Sequence, residues 1–120
     1  MQKLAQREEQ IMQACWRLGN AFIKEIIAEL PDPKPHYNSV ATMVRILEEK
    51  GFLGHETLGN TFRYFPVISK EQYQDHAFED IVKKYFNNSY PRMLAYFAKE
   101  QKISREELNE ILEIIKSKKK

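Results

Sequence analysis

Asn38, Thr42 and Arg45 stand at i, i+4 and i+7, with Ser39 and Ala41 beside them and Tyr37 just ahead. At helical spacing the first three share one face. Their chemistry suits the edges of nucleic-acid bases. Asn pairs bidentately with adenine N6/N7, Arg with guanine O6/N7, and Ala or Thr packs on a thymine methyl. Ser and Thr hydroxyls and the first amides of a helix suit phosphate oxygens. No acid follows on this stretch until Glu48 and Glu49. The same residues would equally make a plain solvated helix face, so the surroundings must decide.

Other chemistries find little support. There is no G-x-S-x-G, P-loop, G-x-G-x-x-G or H-E-x-x-H pattern. Three histidines and one cysteine occur without metal-ligand spacing, so neither a metal nor another cofactor is expected. His36 and His55 read as structural or surface residues. The pairs Glu8-Glu9, Glu48-Glu49 and Glu106-Glu107 diverge by about 100° on a helix. They read as solvated neighbours, not acid–base dyads, and an enzyme is not expected.

At 120 residues, 42% hydrophobic and 30% charged, the chain suits one globular domain or a small domain with an appendage. Cys15 alone excludes an intramolecular disulfide framework. Apolar runs fall far short of the roughly 20 residues of a membrane span, and the acidic N-terminus has no signal-peptide character. A cytoplasmic protein without membrane insertion is expected. The net charge is +2. Residues 1–68 hold eight Lys/Arg and eight Asp/Glu, and residues 69–120 hold eleven and nine. No basic stripe marks a nucleic-acid face. The tail Lys116, Lys118, Lys119 and Lys120 reads as a solvated end.

Three helices are predicted first. Leu4 to Leu18 is periodic and ends at Gly19-Asn20. Ile23, Ile26, Ile27 and Leu30 form a short second stripe, stopped by Pro31, Pro33 and Pro35. From about Tyr37 to Glu49 the stripe is Val40, Met43, Val44 and Leu47, closed by Lys50 and Gly51. The period then changes. Phe52–Thr57 and Thr61–Val67 flank Gly59-Asn60 and read as a β-hairpin. Phe62 and Tyr64 share one of its faces, and Thr61, Arg63 and Phe65 the other. Asn60, Thr61 and Arg63 are its candidate nucleic-acid contacts. Ser69-x-x-Gln72 and Ser104-x-x-Glu107 are capping boxes opening later helices.

Three helices followed by a hairpin are the layout of a winged helix-turn-helix, whose third helix enters a DNA major groove. The expected fold is therefore mainly α: a winged helix over residues 1–68, then a three-helix region over 69–120. The second region carries Phe78, Ile81, Val82, Tyr85, Leu94, Phe97, Leu108, Ile111, Leu112 and Ile115. Three short helices cannot bury that list alone, and a symmetric dimer would cover it.

Several segments resemble the penicillinase-repressor family of bacterial transcriptional regulators. They are E-x-x-I-M-x-x-x-W from Glu8, N-S-V-A-T-M-V-R-I-L-E-E-K-G-F-L from Asn38, G-N-T-F-R-Y-F-P-V-I-S-K-E-Q-Y from Gly59, and R-M-L-A-Y-F-A-K-E followed by I-S-R-E-E-L-N-E-I. The resemblance implies a homodimer that represses transcription from a pseudo-palindromic operator. It implies recognition-helix roles for Asn38, Ser39, Ala41 and Thr42, and wing contacts around Asn60 to Arg63. It also implies derepression by a membrane sensor-protease system. The family's Asn-Phe cleavage pair is matched here by Tyr96-Phe97, and its Ser/Thr-Pro-Lys-Thr opening by His36-Tyr37-Asn38-Ser39. Its copper-responsive members carry a cysteine-rich C-terminus that this chain lacks. Two other readings stay open: a winged helix used for protein interaction without DNA, and a ligand-responsive winged-helix regulator of another family.

Overall fold

Six helices and one hairpin follow one another among the described residues of the structure, a computed structural model that describes residues 3–118. The order is α1 (Gln6–Leu18), α2 (Ile23–Glu29), α3 (Tyr37–Glu49), β1 (Leu53–Leu58), β2 (Thr61–Pro66), α4 (Lys70–Tyr85), α5 (Tyr90–Lys99) and α6 (Arg105–Lys118). The side chains of Ile115, Lys116 and Lys118, with Lys119 and Lys120, lie outside the described part, so the expectations for Ile115 and the lysine tail do too. The fold is the mainly α, winged-helix arrangement expected.

Two compact units divide the chain, Met1–Ala77 and Phe78–Lys120. In the first, the helical stripes meet as the spacing requires. Ile11, Met12 and Cys15 of α1, Ile26 of α2, and Val40, Val44 and Leu47 of α3 are fully buried, with Phe52, Leu53 and Tyr64 closing the core. Burial pushes the Cys15 thiol up to about 12, so it behaves as a small apolar side chain. Ala21 exchanges two backbone hydrogen bonds of 2.8 Å with Tyr64, tying the α1–α2 turn to β2. The Trp16 indole Nε1 donates to the Ile68 carbonyl at 2.9 Å, and Tyr73 packs against both Trp16 and Phe52. These contacts fasten the beginning of α4 to the first unit.

The end of α3 is fixed by backbone geometry. Gly51 has φ +84, its N–H donates to Glu48 O at 3.0 Å, and the Phe52 N–H donates to Leu47 O at 2.9 Å. This is a Schellman closure, which needs a residue tolerant of positive φ at Gly51. It sends the chain directly from α3 into β1.

Both expected capping boxes form: Ser69 and Gln72 exchange bonds of 2.8 and 3.0 Å at the start of α4 in the first unit, and Ser104 and Glu107 bonds of 2.8 and 3.1 Å in the second. Ser89 caps α5 by accepting from the Arg92 amide. Phe86 packs on Tyr96 and Phe97, with ring centroids 5.7 and 6.4 Å away.

Candidate nucleic-acid interface

The stripe that buries Val40, Val44 and Leu47 dictates which residues α3 turns outward. Asn38, Ser39, Thr42 and Arg45 are all exposed, and Tyr37 is 49% exposed at the head of the helix. Ala41 is half-buried and packs against the core from the edge of that face. Thr42 Oγ1 donates to the Asn38 carbonyl at 2.9 Å, a back-bond along the helix that leaves its hydroxyl oxygen free to accept. Arg45 has no ion pair among the described residues. The outer face thus offers an amide, two hydroxyls and one unpaired guanidinium.

The hairpin stands beside this helix. Its register pairs Glu56 with Arg63, Thr57 with Phe62 and Leu58 with Thr61, leaving Gly59 and Asn60 as a two-residue turn. Gly59 has φ +61 while Asn60 does not share the positive region, the pattern of a type II′ turn. Gly54 lies opposite Phe65, and an added Cβ there would meet the ring at 2.8 Å. Asn60 and Thr61 are exposed at the tip.

One ion pair and one histidine–carboxylate contact flank the hairpin. Arg63, read from the sequence as a candidate nucleic-acid contact, is held by Glu56: its Nε donates to Oε1 at 2.7 Å, and Nη2 donates to the same oxygen. His55 Nδ1 lies 2.5 Å from Glu48 Oε2, and its ring packs on Phe62 at 4.4 Å. Glu48 therefore faces the hairpin and is not merely solvated. Behind it, burial raises the Tyr64 hydroxyl above its ordinary value, with Glu48 and Tyr37 adding to the rise and Arg45 opposing it. The end of α3 and the hairpin form one electrostatic environment.

A second correction concerns Glu8, read from the sequence as half of a solvated pair. It is 8% exposed. Lys50 Nζ donates to its two oxygens at 3.1 and 2.9 Å, and the Ala5 amide donates to Oε1 at 2.9 Å. Burial acts to raise its carboxyl, but the Lys50 hydrogen bond, the Ala5 amide and the Lys50 charge together bring it below the ordinary value. The pair ties the start of α1 to the last turn of α3 and so fixes where α3 points. Nothing in local spacing could reveal a partner 42 residues away.

Sequence reasoning also passed over Lys24. It is exposed at the start of α2 and lines an open groove with Phe22, Glu25, Tyr37 and Thr61. It has no ion pair among the described residues. A cation one residue inside a helix start was the available signal.

The apolar set of the second unit is largely outward. Phe78, Ile81, Tyr85 and Leu112 are 45%, 40%, 74% and 52% exposed, and Tyr96 45%. Leu94, Phe97, Leu108 and Ile111 are half-buried, while Val82, expected on the dimer surface, is fully buried within the single chain. The Tyr96–Phe97 bond lies inside α5.

A family model described as penicillinase repressor matches residues 4–117. The chain is similar to the penicillinase repressor of Bacillus licheniformis, with 26% identity over 118 residues, covering 94% of this chain and 89% of that one. A solved repressor structure, CopR, matches 57% of this chain and 100% of its own length at 29% identity and a TM-score of 0.47.

Proposed function

The chain belongs to the penicillinase repressor family of transcriptional regulators, and from that premise we propose that it binds operator DNA as a homodimer through α3 and the hairpin. The carrying observation is the outer face of α3: Asn38, Ser39, Thr42 and Arg45 stand exposed and free of acid through the first nine residues of the helix, beside an exposed hairpin tip. The chemistry of Asn38 and Arg45 suits base edges, and that of Ala41 and the Thr42 methyl suits a thymine methyl. Tyr37, Ser39, Lys24, Asn60, Thr61 and Arg63 surround them and suit sugar and phosphate.

The outward apolar residues of the second unit support the homodimer. Phe78, Ile81, Tyr85 and Leu112 stand exposed in the single chain, an apolar set that a second copy would cover. A two-fold partner placing a second α3 on the same side of the duplex makes the operator pseudo-palindromic, with half-sites one helical turn or a multiple apart. Release by cleavage at Tyr96–Phe97 has a structural precondition. The Tyr96 carbonyl accepts from Glu100 and the Phe97 carbonyl from Lys102. A protease that reads extended chain needs this end of α5 unwound first.

Selection from a randomised duplex library tests the reading. Enriched sequences should share an inverted repeat with half-sites spaced at about a helical turn or its multiple. Absence of any salt-dependent binding or enrichment would overturn DNA binding and favour a winged helix used for protein interaction.

A further inference from the structure

Four cations of the first unit already face acids in a protein proposed to bind a polyanion. Arg17 is paired with Glu29, Lys34 with Asp32, Lys50 with Glu8 and Arg63 with Glu56. Three of these cations brace the fold. Arg17–Glu29 joins α1 to α2, Lys34 also donates to backbone carbonyls at the end of α2, and Lys50–Glu8 anchors α3. The fourth sits on the hairpin itself, between directly opposed residues on the strands.

Over residues 53–66 Arg63 and Glu56 are the only Lys/Arg and Asp/Glu side chains, so the hairpin has no net formal charge. Both side chains are substantially exposed, at 36% and 44%. One carboxylate oxygen, Oε1, takes Nε and Nη2. Three of the five guanidinium N–H groups remain for another acceptor. Arg63 can therefore reach a phosphate in hydrogen-bond terms while its charge is already cancelled. A phosphate approaching it also approaches Glu56.

We propose that Glu56 is a specificity-determining residue: by neutralising Arg63 on the hairpin it suppresses binding to DNA of arbitrary sequence, leaving discrimination to the outer face of α3. The inference rests on the DNA-binding reading above. Its physical basis is that sequence-independent affinity comes from phosphate neutralisation and counterion release, whereas base contacts carry the discrimination. A cation that keeps its own carboxylate adds hydrogen bonds and orientation but little counterion release. Residues 1–68 have balanced formal charge, eight cations against eight acids. Their non-specific term is already small, and one uncovered cation changes it by a large fraction.

The test uses the full chain as wild type, Glu56→Gln, Arg63→Gln and the double variant. Each is titrated by fluorescence anisotropy against an unselected random-sequence duplex and against duplex enriched by the wild type, over a salt series. Glu56→Gln should bind the unselected duplex on the order of eightfold more tightly near 0.1 M salt, with a slope of log K against log salt steeper by about 0.9. Its ratio of enriched to unselected affinity should fall, and the double variant should return to wild-type behaviour on unselected duplex. Unchanged affinity and slope for Glu56→Gln, with wild type still preferring enriched duplex, would overturn the role of Glu56 while leaving DNA binding intact. Weaker binding by Glu56→Gln with an unchanged thermal melt would also overturn it, because Glu56 would then be positioning Arg63 productively. Failure of the wild type to bind either duplex at any salt would instead overturn the DNA-binding reading. Persistence of the Glu56→Gln gain in the double variant would show that Arg63 is not the group released, and would overturn the stated route.

Discussion

Replacing Lys50 by Met removes the cation that faces Glu8 and keeps most of the apolar stem. Breaking a buried pair by removing one partner costs about 3–5 kcal/mol. Here the side chains are 24% and 10% exposed, and the Ala5 amide still serves Glu8 Oε1. The expected loss at pH 7 is therefore about 2–3 kcal/mol. Its pH dependence follows from the carboxyl. In the wild type burial works to raise Glu8 and the Lys50 contacts and Ala5 amide outweigh it, so the folded value is lowered. Stability from a lowered carboxyl is present above the unfolded value of about 4.3 and is lost as pH falls through the folded one. In Lys50→Met burial, the largest cause, outweighs the remaining Ala5 amide, the carboxyl rises, and that variant becomes relatively more stable as pH falls. The gap between the two proteins should narrow from pH 7 to pH 4. Urea denaturation at one fixed protein concentration, which holds the mass-action effect of association constant between the two proteins, reads both values. A gap under about 0.5 kcal/mol at pH 7 would place the pair with ordinary surface pairs. A gap independent of pH would refute the assignment of the cost to an unpaired Glu8 charge.

Two further perturbations probe other parts of the molecule. Gly54→Ala places a Cβ 2.8 Å from the Phe65 ring. It should destabilise the fold by about 1–3 kcal/mol through overpacking, read as a lower denaturation midpoint. Leu112→Glu puts a charge on an apolar residue that is 52% exposed in the single chain. Sedimentation equilibrium should then show weaker self-association with secondary structure unchanged, and unaltered association would exclude Leu112 from the homodimer surface.

The parts of the fold that depend on local periodicity were readable in the chain. Tyr37–Glu49 emerges with the bounds its stripe and Gly51 imply, because a four-residue apolar spacing and a positive-φ closure are both short-range signals. The hairpin turn at Gly59-Asn60 and the Ser104/Glu107 box were readable for the same reason. What escaped is a set of side-chain pairings, most of them beyond the reach of local spacing. Glu8 looked solvated beside Glu9 until the fold brought Lys50 to it. Arg63 was weighed only as a contact to nucleic acid, although the turn at Gly59-Asn60 already sets it opposite Glu56. Glu48 looked like half of an acidic pair until His55 met it. These are charge pairings between elements, and helix periodicity carries no information on them. The candidate face of α3 was legible as a face. Its balance of one unpaired guanidinium against a neutralised hairpin was not.

Whether α3 reads bases is measured most directly by Arg45→Ala, titrated at matched salt against duplex enriched by the wild type and against unselected duplex. Loss of one base-reading side chain should cost about 1–3 kcal/mol on enriched duplex and relax the preference at one position of each half-site, with a much smaller loss on unselected duplex. Equal affinity of variant and wild type for the enriched duplex would contradict the role given to Arg45 and, with the same result for Asn38→Ala, the recognition role of α3.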